Sequence, residues 1–246
     1  MKSENVNKIK IRRKSWRWFV LLTMFAIGLA LVIFAARELW VGMRDDAAAQ
    51  AEYEQLRELS ANIVNAEEPA ILTQEQIAAL LRVFSEINPD FVGWITIPGT
   101  TVDYPIVRGA DNARYLNTTF SGASNPAGAI FMDYRAIYGF KAPASLIHGH
   151  NMRDGSMFAP LVNYMNREFM DNYPEIIILT KYGERLVYRV VKVRRTDAWD
   201  DVYALDFNNA EAAEFLEHSD AERVLILSTC LGGADRNARL LIFAAQ

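Results

Sequence analysis

The 246-residue chain carries one cysteine and three histidines, so any chemistry that needs a soft nucleophile must use Cys230. A thiol is useful against a carbonyl only when one group balances the proton and another stabilises the oxyanion. His148 and His150 stand in S-L-I-H-G-H-N-M-R-D-G-S-M-F, at the end of an apolar run and the start of a polar loop. Their i, i+2 spacing puts both on one side of an extended segment. His218, in L-E-H-S-D, reads as a solvated surface residue. Arg236 and Arg239 follow Cys230 closely. Two arrangements fit these residues. In one, a histidine is the acid/base partner of Cys230, and Arg239 or Arg236 supplies the positive charge. In the other, H-x-H is half of a metal site with Cys230 or a carboxylate as third ligand, although the remaining ligands at a recognisable spacing are missing. The structural alternatives are a cysteine buried as a small hydrophobe and a His148 packed as core beneath the loop.

The elements that must hold these groups are legible as short apolar runs. Val224 to Leu227 and Leu240 to Phe243 flank Cys230, with Gly232 and Gly233 between them, which reads as strand, loop, strand. The thiol then sits where a buried strand opens onto a glycine-containing loop. Further strands are expected at Phe91–Ile97, Thr101–Val107, Ala129–Met132, Ser145–His148, Ile176–Thr180 and Arg185–Val193, making about eight with the last at Leu240–Ala244. Helical insertions are expected at Met157–Tyr164 and Ala210–His218. Short strands with regular turn signals mean a β-sandwich or a β-barrel.

Ahead of this domain the pattern is helical. Trp18 to Ala36 is uncharged, is preceded by Lys10, Arg12, Arg13, Lys14 and Arg17, and is flanked by Trp16, Trp18 and Trp40. At about 1.5 Å per residue it just spans a hydrocarbon core of about 30 Å, and the basic excess puts the N-terminus in the cytoplasm. It is longer than a signal-peptide core, and Ala47-Ala48-Ala49 is separated from it by charged residues, so it reads as an uncleaved anchor. Asp45 to Asn65 should be helical, with Pro69 ending it. Thr73 to Gln76 offers a capping box for a second helix that ends near Asn88-Pro89. The domains expected are a basic tail over 1–17, an anchor over 18–40, a helical stalk over 41–87 and a β-domain over 88–246. A single cysteine excludes an intramolecular disulfide. The acidic balance outside residues 1–17 argues against a nucleic-acid partner.

L-S-T-C followed nine residues later by Arg239, together with G-H-N-M-R-D-G-S-M-F, resembles the sortases, and class B in particular. The likeness extends through Asn88 to Leu116 (N-P-D-F-V-G-W-I-T-I-P-G-T-T-V-D-Y-P-I-V-R-G-A-D-N-A-R-Y-L) and A-I-F-M-D-Y at Ala129 to Tyr134. It implies a mainly β fold, a closed eight-stranded barrel with short helical insertions, preceded by two helices and a transmembrane helix. It also implies roles: Cys230 as nucleophile, His150 as general acid/base, and Arg239 as the substrate-positioning and oxyanion-stabilising residue, with Thr229, Ser228 and Asn151 supporting. His148 departs from the tyrosine more usual at its position, and Arg236 stands as a competing arginine. The implied partners are secreted proteins bearing a C-terminal sorting signal and an amine of a cell-wall peptide or lipid-linked precursor. The implied chemistry requires no metal and no cofactor.

Overall fold

The computed structural model describes residues 3–64, 73–204, 206–207, 221–232 and 235–246, without the side chains of 3–15, 17, 62–64 and 80. The chain divides into two units, Met1–Asp45 and Asp46–Gln246. Helix α1 (Ser3–Val64) begins in the first. From Trp18 onward it is long and apolar enough to cross a membrane, and side chains such as Leu22, Phe25 and Phe34 are exposed. The separate anchor and following helix expected from the sequence are one uninterrupted helix, because Gly28 and Gly42 interrupt helices only weakly and no proline lies before Val64.

The second unit is a closed barrel with strand order β1-β2-β3-β4-β7-β8-β6-β5. Its strands are β1 (Phe91–Thr96), β2 (Asp103–Val107), β3 (Ile130–Met132), β4 (Ala144–His148), β5 (Glu175–Thr180), β6 (Arg185–Thr196), β7 (Val224–Cys230) and β8 (Arg239–Ala245). The β2–β3 and β4–β7 pairs are parallel and the other neighbours antiparallel. All eight expected strands are present. The strand β7 runs past Leu227 to Cys230 because its ladder with β8 continues to the Cys230–Arg239 pair. The expected insertion at Met157–Tyr164 is a 3-10 helix over Ala159–Met165, followed by helix α3 (Arg167–Asn172). The insertion at Ala210–His218, His218 itself and Pro69 lie outside the described residues.

Period-two alternation sorts the wall of β4, β7 and β8 into two faces. Ile147, Leu225, Leu227, Leu240 and Ile242 belong to the interior cluster. Ala144, Leu146, Val224, Ile226, Leu241 and Phe243 form a second cluster on the outer face, covered by Val202 and Phe207. The same alternation carries His148, Ser228, Cys230 and Arg239 to the outer face and turns Thr229 inward. Two helices pack on the barrel. Ala49, Tyr53 and Leu56 of α1 are buried in the interior cluster. Helix α2 (Gln74–Ile87) starts at the expected capping box, with Thr73 and Gln76 bonded reciprocally. Its Phe84 ring meets Phe91, Trp94 and Phe120 with centroids 5.2–6.3 Å apart, contacts that add to the burial of apolar area.

Candidate active site

The parallel β4–β7 pair sets His148 opposite Ser228, and the antiparallel β7–β8 pair sets Cys230 opposite Arg239. Residues far apart in the chain therefore meet at one end of one sheet face. A cavity of about 260 Å³ opens there, lined among others by Leu116, His148, His150, Tyr203, Cys230 and Arg239. Cys230 is only partly buried, so its sulfur is backed by the strand and open towards the cavity.

His150 lies two residues beyond the barrel strand that ends at His148. The intervening Gly149 donates its N–H to Ser228 O at 3.1 Å. A Cβ there would stand 2.6 Å from Ile130 Cδ1 and from the Phe158 ring, closer than non-bonded carbons tolerate, which is why glycine separates the two histidines. The His150 carbonyl accepts the Phe158 N–H at 2.8 Å, and its Nε2 lies 2.8 Å from Leu116 O. A carbonyl only accepts, so Nε2 carries the proton and Nδ1 is left for exchange. Asn151 follows, donating from Nδ2 to Cys230 O at 2.8 Å and tying the histidine loop to the cysteine strand.

Between the two arginines the geometry is unambiguous. Arg239 lines the cavity, and its Nη1 donates to Arg236 O at 2.9 Å and to Ala238 O at 3.1 Å. Arg236 is exposed and contributes a backbone carbonyl that orients Arg239. The remaining guanidinium N–H groups of Arg239 can reach ligand oxygens in pairs.

His148 is partly buried and also lines the cavity, so it is not the core residue its run of apolar neighbours allowed. Its ring stacks on Phe131 at 5.0 Å and on Tyr203 at 6.3 Å, and its Nε2 stands 3.5 Å from Asp133 Oδ2. The Asp133 side chain is 1% exposed. It accepts from Arg135 Nε and Nη2, each at 2.8 Å, and from Asn112 Nδ2 at 2.8 Å. Burial by itself would raise its pKa, but the bonds from Arg135, then His148 and Asn112, outweigh burial and hold the carboxyl well below the usual range. Tyr203 is shifted upward by burial and keeps its phenolic proton, with its OH 2.8 Å from Ser228 Oγ. Thr229 borders the cavity, yet its Oγ1 is buried and has no hydrogen-bond partner among the described residues.

The structure thus brings Cys230, His150, Arg239, Ser228 and Thr229 to one cavity, with Asn151 bonded to the Cys230 carbonyl. It adds Leu116, Asp133 and Tyr203, which residue chemistry did not single out. Leu116 contributes a backbone carbonyl, which leaves no trace in a sequence. Asp133 stood in A-I-F-M-D-Y without a partner, and Tyr203 arrives from the β6–β7 connection. Among the described residues, no group of three or more His, Cys, Asp or Glu side chains is arranged to hold a metal ion.

Residues 95–246 match the model of the family described as Sortase domain. The chain belongs to the sortase family. It is 33% identical to sortase B of Listeria monocytogenes over 167 residues, 61% of this chain and 66% of that protein. It is 25% identical to sortase B of Staphylococcus aureus over 242 residues, 93% of this chain and 96% of the relative. The solved Staphylococcus aureus sortase B–substrate complex superposes with a TM-score of 0.69 at 27% identity, covering 82% of this chain and 97% of that one. Sortases are cysteine transpeptidases and are membrane-associated, and these relatives place the chain in class B.

Proposed function

We propose that this sortase cleaves a C-terminal sorting signal of secreted proteins at a Thr carbonyl and transfers the acyl group to a cell-wall amine. The observation that carries the proposal is the cross-strand pairing of Cys230 with Arg239 at the mouth of the cavity that His150 also lines. The Cys230 thiol passes its proton to His150 Nδ1 and the resulting thiolate adds to the carbonyl carbon. Arg239, permanently charged and oriented by the Arg236 and Ala238 carbonyls, donates to the developing oxyanion. The C–N bond breaks as His150 protonates the leaving amine, giving a thioacyl enzyme. The incoming amine then loses its proton to His150, attacks the thioester carbonyl and releases the thiolate. Asn151 supports this sequence by holding the Cys230 backbone against the loop that carries His150.

In this reading residues 1–17 form a cytoplasmic tail, 18–40 a single membrane-spanning anchor, 41–87 the stalk and N-terminal helices, and 88–246 the extracellular catalytic domain. The uncharged run after a cluster of basic residues supports that orientation. The acceptor is an amine of a cell-wall peptide or lipid-linked precursor, or, if the enzyme polymerises pilins, a pilin amine. The test is to incubate the full chain with a sorting peptide, with and without an added amine. Joined product that is lost in Cys230→Ala is expected. Joining retained by that variant overturns the proposal, and a product distribution indifferent to the amine makes the enzyme a peptidase that uses water.

A further inference from the structure

The loop carrying His150 has a second face, turned away from the cavity towards helix α1. Residues Asp154, Gly155, Ser156 and Met157 line a groove of about 700 Å³ whose other wall is α1 from Ala47 to Arg57. Three contacts from the helix side converge on this loop and on the acceptor of His150. Gln50 Nε2 donates to Asp154 Oδ2 at 2.8 Å. Tyr53 donates its OH to Gly128 O at 2.6 Å and accepts the Phe120 N–H at 3.3 Å. Burial pushes the Tyr53 phenol far above its ordinary pKa, so it remains a donor. Gly128 has φ 58, and a Cβ at that position would collide with the backbone oxygens of Tyr115 and Leu116. It therefore lies against the very carbonyl that holds His150.

The third contact runs through Tyr104. Its ring meets Tyr53 edge-on at 5.2 Å and lies under the Arg57 guanidinium at 5.5 Å. Its OH accepts the Met157 N–H at 3.0 Å. Met157 has φ 56, a left-handed conformation that an unbranched side chain holds only when its surroundings impose it. Met157 in turn bridges to Asn151, and the adjoining Phe158 N–H bonds the His150 carbonyl at 2.8 Å.

We propose that Gln50 and Tyr53 of helix α1 are positioning residues for His150, so that the segment just after the apolar run completes the catalytic centre. They touch no reacting atom. Gln50 fixes the loop that supplies the imidazole, Tyr53 fixes the strand start behind the carbonyl that orients it, and Tyr104 couples the two through Met157. The inference rests on His150 acting as the acid/base in the reaction proposed above.

The closing experiment uses steady-state transpeptidation by the full chain. Gln50 is solvent-exposed in its bond to Asp154, so it can be changed by charge alone without disturbing the core. Gln50→Ala removes the donor and Gln50→Glu opposes Asp154 with a like charge, whereas Gln50→Lys keeps a donor towards Asp154. Tyr53→Phe removes only the hydroxyl. His150→Ala and Ser60→Ala run beside them, the latter a buried α1 residue whose hydroxyl donates to the Arg57 carbonyl. Loss of one positioning hydrogen bond is expected to lower kcat about fivefold in Gln50→Ala and Tyr53→Phe, and more in Gln50→Glu, with KM unchanged. Gln50→Lys and Ser60→Ala should stay within about twofold of the parent. A purely structural role would move the melting temperature without this charge-ordered series in kcat. If His150→Ala is inactive and the Gln50 and Tyr53 variants keep the parental kcat, the positioning role is overturned. If His150→Ala retains turnover, the acid/base reading falls and the positioning role with it.

Discussion

Asp133 offers the sharpest test of how His148, which lines the cavity, is backed. Its carboxylate is 1% exposed and accepts two 2.8 Å bonds from Arg135, whose side chain is 29% exposed, together with one from Asn112. Asp133→Asn keeps the volume but removes the charge, and its amide N–H₂ faces guanidinium donors. Breaking a fully buried pair costs about 3–5 kcal/mol. The partial exposure of Arg135 lowers the expected cost here to about 2–3 kcal/mol. For a unit of this size that corresponds to a melting temperature lower by about 5–10 °C at pH 7. The pH dependence follows from the direction of the shift. The folded carboxyl is held well below its ordinary value, so its stabilisation is fully present above an unfolded pKa of about 3.9 and is lost as pH falls below that. The amide introduced by Asp133→Asn does not titrate, so the gap between parent and variant should be widest at neutral pH and narrow between about pH 4 and pH 2. Thermal unfolding followed by near-ultraviolet circular dichroism at several pH values measures this gap. A melting temperature unchanged at pH 7, or a gap that stays constant down to about pH 2, would refute the reasoning.

Two further outcomes follow from single atoms at the site. Gly149→Ala places a methyl 2.6 Å from Ile130 Cδ1 and the Phe158 ring; overpacking of this kind costs about 1–3 kcal/mol, and because His150 is the next residue, kcat should fall by more than the change in melting temperature implies. Thr229→Val removes a buried hydroxyl that has no hydrogen-bond partner among the described residues, so chemical denaturation should find the variant as stable as the parent or about 0.5–1 kcal/mol more stable; a loss above about 1 kcal/mol would show that the hydroxyl has a role.

What could be read from residues alone was whatever depends on local pattern or on scarcity. One cysteine in 246 residues makes Cys230 the only possible thiol nucleophile. Apolar alternation and β-branched runs marked all eight strands, and Thr73 with Gln76 marked the start of α2, because side-chain periodicity and capping act over a few residues. The motifs G-H-N and L-S-T-C with Arg239 carried the family resemblance that the fold and the relatives bear out.

Tertiary structure decided everything that depends on register between distant segments. Residue chemistry admits both Arg236 and Arg239, whereas the β7–β8 ladder pairs Cys230 with Arg239 and the Arg236 carbonyl accepts from the Arg239 guanidinium. His148 is ambiguous until the parallel β4–β7 pairing sets it opposite Ser228 on the outer face, above Asp133 and beside Tyr203. The acceptor of His150 is a backbone oxygen, a group every residue owns, so only the closed barrel could select Leu116 for it. The reach of Gln50 from α1 to the loop after His150, and of Tyr53 to Gly128, is likewise a consequence of packing. Period-two alternation makes each strand legible by itself, but which residues meet across strands is fixed only when the sheet closes.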